Sequence, residues 1–231
     1  MKVLITGTSR GIGRAAALKF LSEGAQVIGL DTQKDTISGD SKVKNPENYS
    51  HFIADISDPL SLPEISGVEI LINNAGIQTP APVPEGEKDI RVNLLGTMSV
   101  TEKYAFQPKI KSVLFNASAS ALSGNEFPAY AASKAGMVGY MKNCAIRLAN
   151  RFQATCNALC FGGVLTELNA PVINDRNLWQ KIMDVTPLKR WASAKEAAEW
   201  IYFLTVTNTF CTGQAIEVSG GERNCTDLFV W

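Results

Sequence analysis

The chain has 231 residues, 45% of them hydrophobic, and a formal net charge of zero. A chain of this size and apolar content can bury one substantial core, so we predict a single domain over residues 1–231. It has no basic block for nucleic-acid phosphates and no apolar run near the roughly 18 residues of a membrane span, which argues against nucleic-acid and membrane partners. Met1 leads directly into a predicted strand, so we expect a cytoplasmic protein.

The cysteines do not form the pattern of a disulfide framework. They are an odd number on apolar segments: Cys144, Cys156, Cys160, Cys211 and Cys225. This distribution predicts reduced, mostly buried thiols. Cys156 and Cys160 have the spacing of a metal pair, but alternation along a predicted strand explains it, and His51 is the only histidine available for a zinc site. We therefore predict no metal centre.

Short apolar runs alternate with segments of helical periodicity along the chain. Strands are predicted near 2–6, 26–30, 50–53, 69–73, 111–117, 154–159 and 214–218, and helices near 11–23, 87–106, 128–150 and 194–205. This alternation is typical of an α/β protein with a parallel sheet covered by helices on both faces. The connections at 57–64 and 77–88 are short, and two prolines in the first of them discourage a helix.

The first predicted strand runs into a glycine-rich turn and then an amphipathic helix. The turn reads Thr6-Gly7-Thr8-Ser9-Arg10-Gly11-Ile12-Gly13. Its three glycines permit a tight turn, close approach of a pyrophosphate and close packing of the helix on the strand. The N–H groups that open the helix then face an anion. A glycine-rich loop alone is a weak signal, but its position at the first strand-to-helix turn strengthens it.

A tyrosine and a lysine lie four residues apart in a predicted helix, in the run Ala129-Tyr130-Ala131-Ala132-Ser133-Lys134-Ala135-Gly136. This spacing places the phenol and the ammonium group on one face. A free tyrosine, with a pKa near 10, is a poor base at neutral pH, and a nearby cation lowers the cost of the phenolate. The pair can therefore exchange a proton with a substrate, although an isolated core tyrosine beside an exposed lysine would show the same spacing.

Taken in chain order, these motifs resemble the short-chain dehydrogenase/reductase family from Lys2 to about Gly221. The matching positions are Thr6-Gly7-x-x-x-Gly11-Ile12-Gly13, Asp31, Asp55-Ile56, Asn73-Asn74-Ala75-Gly76, Asn93, Ser118, Tyr130, Lys134 and Thr166. The resemblance implies a doubly wound Rossmann-type domain with a seven-stranded, mostly parallel sheet and a cofactor across the carboxyl ends of the strands. It also implies an NAD(P)-dependent oxidoreductase that transfers a hydride between the cofactor and a secondary alcohol or ketone.

The resemblance implies four catalytic residues. Tyr130 is expected to act as general acid or base, and Lys134 to favour its phenolate and hold the nicotinamide ribose. Ser118 is expected to bond the substrate oxygen, and Asn93 to fix a water that connects Lys134 to solvent.

Three positions depart from the family pattern. Ser118 lies 12 positions before Tyr130 where relatives usually show 13, so Ser120 and Ser123 stay open as alternatives. Phe161 stands where the family has proline, in the run Cys160-Phe161-Gly162-Gly163-Val164-Leu165-Thr166, and Ser219 replaces the usual aspartate. Phe161 leaves the exact course of this loop open.

The resemblance also implies the cofactor contacts. They are Gly7, Ser9, Arg10, Gly11, Ile12, Gly13, Asp31, Asp55, Ile56, Asn74, Ala75, Gly76, Tyr130, Lys134, Val164 and Thr166. Asp31 can accept hydrogen bonds from both adenosine ribose hydroxyls and would repel a 2′-phosphate, which favours NAD. Arg10 favours NADP, which stays the alternative. Asp55 and Ile56 are expected beside the adenine, and Val164 and Thr166 at the nicotinamide carboxamide.

Substrate identity is expected to depend on residues 167–186. The apolar side chains there are Leu168, Val172, Ile173, Leu178, Trp179 and Met183. They predict a lid over a modest, partly apolar alcohol or ketone, although an ordinary surface helix has the same pattern. In the family, the helix after the fourth strand commonly joins the tetramer interface. Because the connection at 77–88, after the fourth predicted strand, is short, a homodimer and a homotetramer both stay open.

Two other functions are compatible with the scaffold. One is a related enzyme such as an enoyl reductase, dehydratase or epimerase; enoyl reductases usually space tyrosine and lysine further apart than Tyr130 and Lys134. The other is a non-catalytic dinucleotide-sensing protein, a class that tends to lose one of these two residues. Fold alone does not choose among the three functions.

Overall fold

The computed structural model describes residues 1–222, so Cys225 and Trp231 lie outside the described residues. The strands are β1 (Lys2–Thr6), β2 (Gln26–Asp31), β3 (Tyr49–Ile53), β4 (Ile70–Asn73), β5 (Ser112–Asn116), β6 (Thr155–Phe161), β7 (Val164–Leu165), β8 (Ala192–Ser193) and β9 (Ala215–Val218). Seven of them form one parallel sheet in the order β3-β2-β1-β4-β5-β6-β9, and β7 pairs with β8. The prediction of a seven-stranded Rossmann-type sheet is confirmed.

Helices cover both faces of this sheet. They are α1 (Gly11–Ser22), α2 (Glu87–Asp89), α3 (Thr97–Tyr104), α4 (Ser120–Ser123), α5 (Pro128–Phe152), α6 (Ala170–Ile173), α7 (Arg176–Val185) and α8 (Ala194–Tyr202). One core cluster joins α1 and α8 to the sheet, and a second joins α3 and α5 to the opposite face. The sequence places α1, α3, α5 and α8 because each presents a stripe of small and apolar residues to the sheet.

Two predicted helices contain a segment of wider turns. Residues Ile90–Gly96, between α2 and α3, and Phe203–Thr207, after α8, are π-helical. Short π-helical segments occur frequently at functional sites, and the first one carries Asn93. Sequence periodicity near 3.6 does not distinguish them from an α-helix.

The short connection at 57–64 forms no α-helix, as its two prolines predict, and has only a 3₁₀ turn at Pro59–Ser61. The connection at 77–88 runs into the short helix α2, which begins at Glu87. The segment between β2 and β3 has a 3₁₀ turn at Pro46–Asn48. At Phe161 the sheet continues, because Ala119 N–H donates to Phe161 O (2.8 Å) and Gly162 N–H donates to Val218 O (3.1 Å). β6 therefore runs through Phe161, the position at which the family has proline.

The cysteines of the described residues lie where their apolar surroundings indicate. Cys144, Cys156 and Cys160 are buried, and Cys211 is half-buried. Within residues 1–222 there is no group of three histidine, cysteine, aspartate or glutamate side chains that could hold a metal ion. None of the helices in this part of the chain is both long and apolar enough to cross a membrane.

Candidate active site

The glycine-rich turn lies at the carboxyl end of β1 and opens α1. Gly7 has φ +76°, a conformation that residues with a side chain rarely adopt. A Cβ at Gly13 would lie 2.0 Å from Gly7 O and 2.3 Å from Asn74 Nδ2, so α1 can approach the strand only through glycine. No side chain caps the N-terminus of α1. Its first N–H groups therefore suit an anionic ligand, and this cradle fits a pyrophosphate.

Asn74 fastens the end of β4 to this turn. Its Nδ2 donates to Thr6 O (2.9 Å) and Gly7 O (3.2 Å), while the Asn74 and Ala75 N–H groups donate to Thr6 Oγ1. Asn74 Oδ1 accepts a hydrogen bond from Asn116 Nδ2 at 2.7 Å. The ends of β1, β4 and β5 are thus joined by side-chain hydrogen bonds at the edge where the cofactor is expected.

Asp31 lies at the end of β2 and already holds two backbone groups. Its carboxylate accepts hydrogen bonds from Ser9 N–H (2.9 Å) and Gln33 N–H (2.8 Å). Each carboxylate oxygen can accept a second hydrogen bond, so the group can still receive ribose hydroxyls. Arg10 is exposed beside it.

The two residues expected beside the adenine differ in access. Asp55 is exposed, and its Oδ1 accepts hydrogen bonds from the N–H and hydroxyl of Ser57. Ile56 is only 5% exposed and packs in the core against Gly96. Its contact with an adenine ring stays a prediction.

Tyr130 and Lys134 lie in the first two turns of α5, which begins at Pro128. Proline suits the first helical position because its missing N–H would have no partner there. Tyr130 is half-buried, and the Lys134 Nζ lies 5.7 Å from the centre of its ring. Lys134 is 4% exposed and its Nζ donates to Asn116 O at 2.9 Å. The cation is therefore held beneath the phenol, on the side of β5.

Burial lowers the pKa of Lys134 from its usual 10.5 to about 8, while the neighbouring Cys160 and Asp89 act in the opposite direction. Between pH 8 and 10.5 the unfolded chain therefore binds a proton at this residue that the folded chain does not. Stability contributed by this residue rises with pH across that window.

We predict that wild type gains about 3 kcal/mol of unfolding free energy relative to Lys134→Met between pH 7.5 and 10.5. Denaturant unfolding of both proteins across this range measures the difference. Lys142→Met, at an exposed position of the same helix, is the control and should leave the pH dependence of wild type unchanged. Parallel stability curves for wild type and Lys134→Met would contradict a buried cation at this position.

Asn93 is fully buried in the π-helical segment and clamps the chain that follows β4. Its Oδ1 accepts from Ile77 N–H (2.8 Å), and its Nδ2 donates to Ile77 O (2.8 Å) and Ser133 Oγ (3.0 Å). A Cβ at Gly76 would lie 3.1 Å from Asn93 Oδ1 and 3.4 Å from Lys134 Nζ. The amide oxygen and the ammonium group thus both lie beside the space that a side chain at Gly76 would fill.

The three serines considered for the substrate oxygen differ in position. Ser118 Oγ lies 2.9 Å from Ser120 Oγ and accepts the Ser120 N–H at 3.1 Å. Ser118 is 6% exposed, whereas Ser120 is fully buried. Ser123 is exposed and its hydroxyl donates to Ala119 O. Of the first two, Ser118 is the one with access to the surface, and Ser120 lies behind it.

The segment from Val164 to Thr166 returns to the glycine-rich turn. Val164 is 3% exposed, its carbonyl accepts from Asn169 Nδ2 at 2.8 Å, and a Cβ at Gly11 would lie 3.5 Å from the Thr166 methyl group. A cavity of about 450 Å³ lies beside this contact, between α1 and the start of the predicted lid. Trp191 packs edge-on against Trp179 of α7, with ring centres 5.0 Å apart.

The structure thus brings the glycine-rich turn, Asp31, the end of β4 and the Tyr130–Lys134 pair to one edge of the sheet. Two residues of this edge were missed in the sequence. Asn116 ends a buried strand, and a polar residue at that position is a usable signal. Ser133 Oγ accepts a hydrogen bond from Asn93 Nδ2 and donates one to Tyr130 O at 2.7 Å. Nothing in the sequence around Ser133 distinguishes it from a surface serine.

Residues 7–222 match the family model described as enoyl-(acyl carrier protein) reductase. A glucose 1-dehydrogenase of Gluconobacter oxydans is 31% identical over 95% of this chain and 91% of its own length. A 3-oxoacyl-[acyl-carrier-protein] reductase of Thermotoga maritima is 31% identical over 94% of this chain and 96% of its own length.

Solved structures agree in fold. A short-chain dehydrogenase/reductase from Brucella melitensis, named as a glucose/ribitol dehydrogenase, has a TM-score of 0.85 at 26% identity over 97% of both chains. A 4-hydroxyisoleucine dehydrogenase solved with NADH has a TM-score of 0.85 at 26% identity over 97% of this chain and 99% of that one. A proposed 2-deoxy-d-gluconate 3-dehydrogenase from Agrobacterium tumefaciens, solved with NADP, has a TM-score of 0.83 at 26% identity over 96% and 95%.

These matches and the geometry agree on one class of protein, the nucleotide-binding oxidoreductases of the Rossmann type. The chain belongs to the short-chain dehydrogenase/reductase family.

Proposed function

We propose that this protein transfers a hydride between a nicotinamide cofactor and a secondary alcohol or its ketone. The observation that carries the proposal is the buried Lys134 ammonium group beneath the half-buried phenol of Tyr130. A cation at this place favours the phenolate, so Tyr130 can take the proton of an alcohol and return it to a ketone. Ser118 donates to the substrate oxygen, and Asn93 Oδ1 holds a water that connects Lys134 to solvent.

The cofactor supplies or accepts the hydride when bound. We assign its pyrophosphate to the glycine-rich turn, where it would contact Gly7, Ser9, Gly11, Ile12 and Gly13. Its adenosine end lies with Asp31, Asp55 and Ile56, and its nicotinamide end with Val164, Thr166 and the Lys134 ammonium group. Asn74, Ala75 and Gly76 let the backbone at the end of β4 come close to the adenosine ribose. The cradle that a Cβ at Gly13 would fill supports this placement.

We propose NAD rather than NADP as the physiological cofactor, because Asp31 presents a carboxylate where a 2′-phosphate would lie. Similar proteins have been solved with either cofactor. Asp31→Ser should weaken NADH binding by about 10- to 100-fold, since the net loss of one charge-assisted hydrogen bond to a ribose hydroxyl costs about 1.5–3 kcal/mol, and NADPH binding by much less. Titration with both cofactors measures the ratio. Preference of wild type for NADPH, lost in Arg10→Ala, would instead assign the adenosine end to Arg10.

The substrate we propose is a small molecule covered by residues 167–186, and the active form is a homodimer or homotetramer. Sedimentation of the purified protein measures the oligomeric state.

The names of the relatives suggest which compounds to test for turnover: aldoses, 3-oxoacyl thioesters, and simple secondary alcohols and ketones. A 2-enoyl thioester belongs in the panel because of the matching family model. Reduction of the enoyl compound alone would favour an enoyl reductase, and cofactor binding with no turnover of any compound would favour a dinucleotide sensor.

A further inference from the structure

The chain's only histidine ends a hydrogen-bonded line that starts in the glycine-rich turn. Thr8 Oγ1 lies 2.8 Å from Tyr49 Oη, Tyr49 Oη lies 2.9 Å from His51 Nδ1, and His51 Nε2 lies 2.9 Å from Gln33 O. Thr8 is fully buried, Tyr49 is 7% exposed and His51 is half-buried. None of these residues has a role in the proposed chemistry.

The acceptor at the far end fixes the direction of the line. A backbone carbonyl only accepts, so His51 Nε2 must carry hydrogen, and in the neutral ring Nδ1 is then an acceptor. Tyr49 therefore donates to His51, and Thr8 donates to Tyr49. Burial raises the pKa of Tyr49 to about 12, so its hydroxyl keeps its hydrogen at neutral pH.

A glycine in the neighbouring strand provides the room for this line. A Cβ at Gly29 would lie 2.2 Å from Tyr49 Oη and 2.3 Å from Thr8 Oγ1. Any side chain at this position would separate the two hydroxyl groups. The hydrogen bond between Thr8 and Tyr49 therefore depends on a third residue distant in sequence, Gly29.

Both ends of the line belong to segments that surround the proposed adenosine site. Thr8 lies in the turn, and Gln33 follows Asp31, whose carboxylate holds Gln33 N–H at 2.8 Å. No helix supports the start of the connection from β2 to β3, so side-chain bonds position it. On one side Ser9 Oγ lies 3.0 Å from Lys34 O and 3.4 Å from Gln33 O. On the other side His51 Nε2 lies 2.9 Å from Gln33 O and is the closer donor to that carbonyl.

We propose that His51, oriented by Tyr49 and Thr8, is a positioning residue for the adenosine end of the cofactor: it holds Gln33 so that Asp31 faces the ribose. The inference rests on the proposed function. Loss of the bond to Gln33 lets the segment after Asp31 move, and part of the binding free energy is then spent on ordering it.

Two substitutions of His51 separate its two nitrogen atoms. His51→Gln places an amide N–H near the position of Nε2 and can still donate to Gln33 O, whereas the shorter His51→Asn can replace only Nδ1. We expect the Kd of NADH, measured by its fluorescence, to rise about 3- to 10-fold in His51→Asn and to stay within 2-fold of wild type in His51→Gln.

Tyr49→Phe tests the other end of the line and should raise the Kd of NADH by a similar factor. Its matched control is Tyr104→Phe, which removes the hydroxyl of another buried tyrosine that donates to Pro63 O at 2.6 Å, in the core cluster of the opposite face. Both should lose stability, but Tyr104→Phe should keep the wild-type Kd. Equal Kd values for His51→Asn and His51→Gln, or for the two tyrosine variants, would overturn the inference. Wild type that binds neither NADH nor NADPH would instead overturn the proposed function.

Discussion

Replacing Tyr130 with phenylalanine should lower kcat by about 10²- to 10⁴-fold and leave cofactor binding nearly intact. General acid–base catalysis contributes a factor of this size, and phenylalanine keeps the ring while removing the only group that exchanges the proton. Lys134 does not depend on that hydroxyl for its position, because its Nζ donates to Asn116 O at 2.9 Å. The measurement is turnover at saturating cofactor together with the Kd of NADH for both proteins.

The same helix offers a matched control for this experiment. Tyr140 lies ten residues further along α5, is also half-buried, and its hydroxyl donates to Glu102 Oε1 of α3 at 2.7 Å. Tyr140→Phe should keep wild-type kcat. Turnover by Tyr130→Phe within a factor of five of wild type would remove Tyr130 from the chemistry, and a parallel loss in Tyr140→Phe would assign the effect to the helix rather than to the phenol.

The sheet and most helices could be predicted because their signals are local. A buried parallel strand is a short apolar run, and the seven predicted runs coincide with strands of the main sheet to within two residues at each end. The glycine-rich turn could be predicted for a related reason. Gly13 is required because α1 packs against Gly7 O, only six residues earlier in the chain. The lid region is different, since its short helices α6 and α7 depend on tertiary packing such as that of Trp179 on Trp191.

The candidate site was predictable only in part, because its hydrogen bonds join residues far apart in sequence. Asn93 reaches Ser133 across 40 positions, and Thr8 reaches Tyr49 across 41. The spacing of apolar residues along the chain does not predict such long-range hydrogen bonds. The order of Ser118 in front of Ser120 depends likewise on how the chain turns after β5, which a difference of one residue in spacing could not decide. Site residues supplied by the resemblance stay predictions, because proximity at the sheet edge does not measure a role.

Gly13→Ala should destabilise the protein by about 3 kcal/mol, the upper end of the usual cost of overpacking, and abolish measurable NADH binding. The added methyl group would meet Gly7 O at 2.0 Å, and a backbone carbonyl cannot turn aside as a flexible side chain can. Either α1 moves away from β1, or the turn around Gly7 opens and its N–H groups lose their common direction. In both cases the anion cradle is lost with the packing.

Gly139→Ala distinguishes this effect from the general consequence of replacing a glycine at a helical position. Gly139 lies in α5, and no atom of residues 1–222 lies within 4 Å of an added Cβ, so alanine there should stabilise the protein by about 1 kcal/mol and leave the Kd of NADH unchanged. Denaturant unfolding and fluorescence titration of the three proteins check both parts. A Gly13→Ala protein that is as stable as wild type would contradict the close contact of α1 with the turn. A destabilised one that still binds NADH at wild-type affinity would move the pyrophosphate away from this turn.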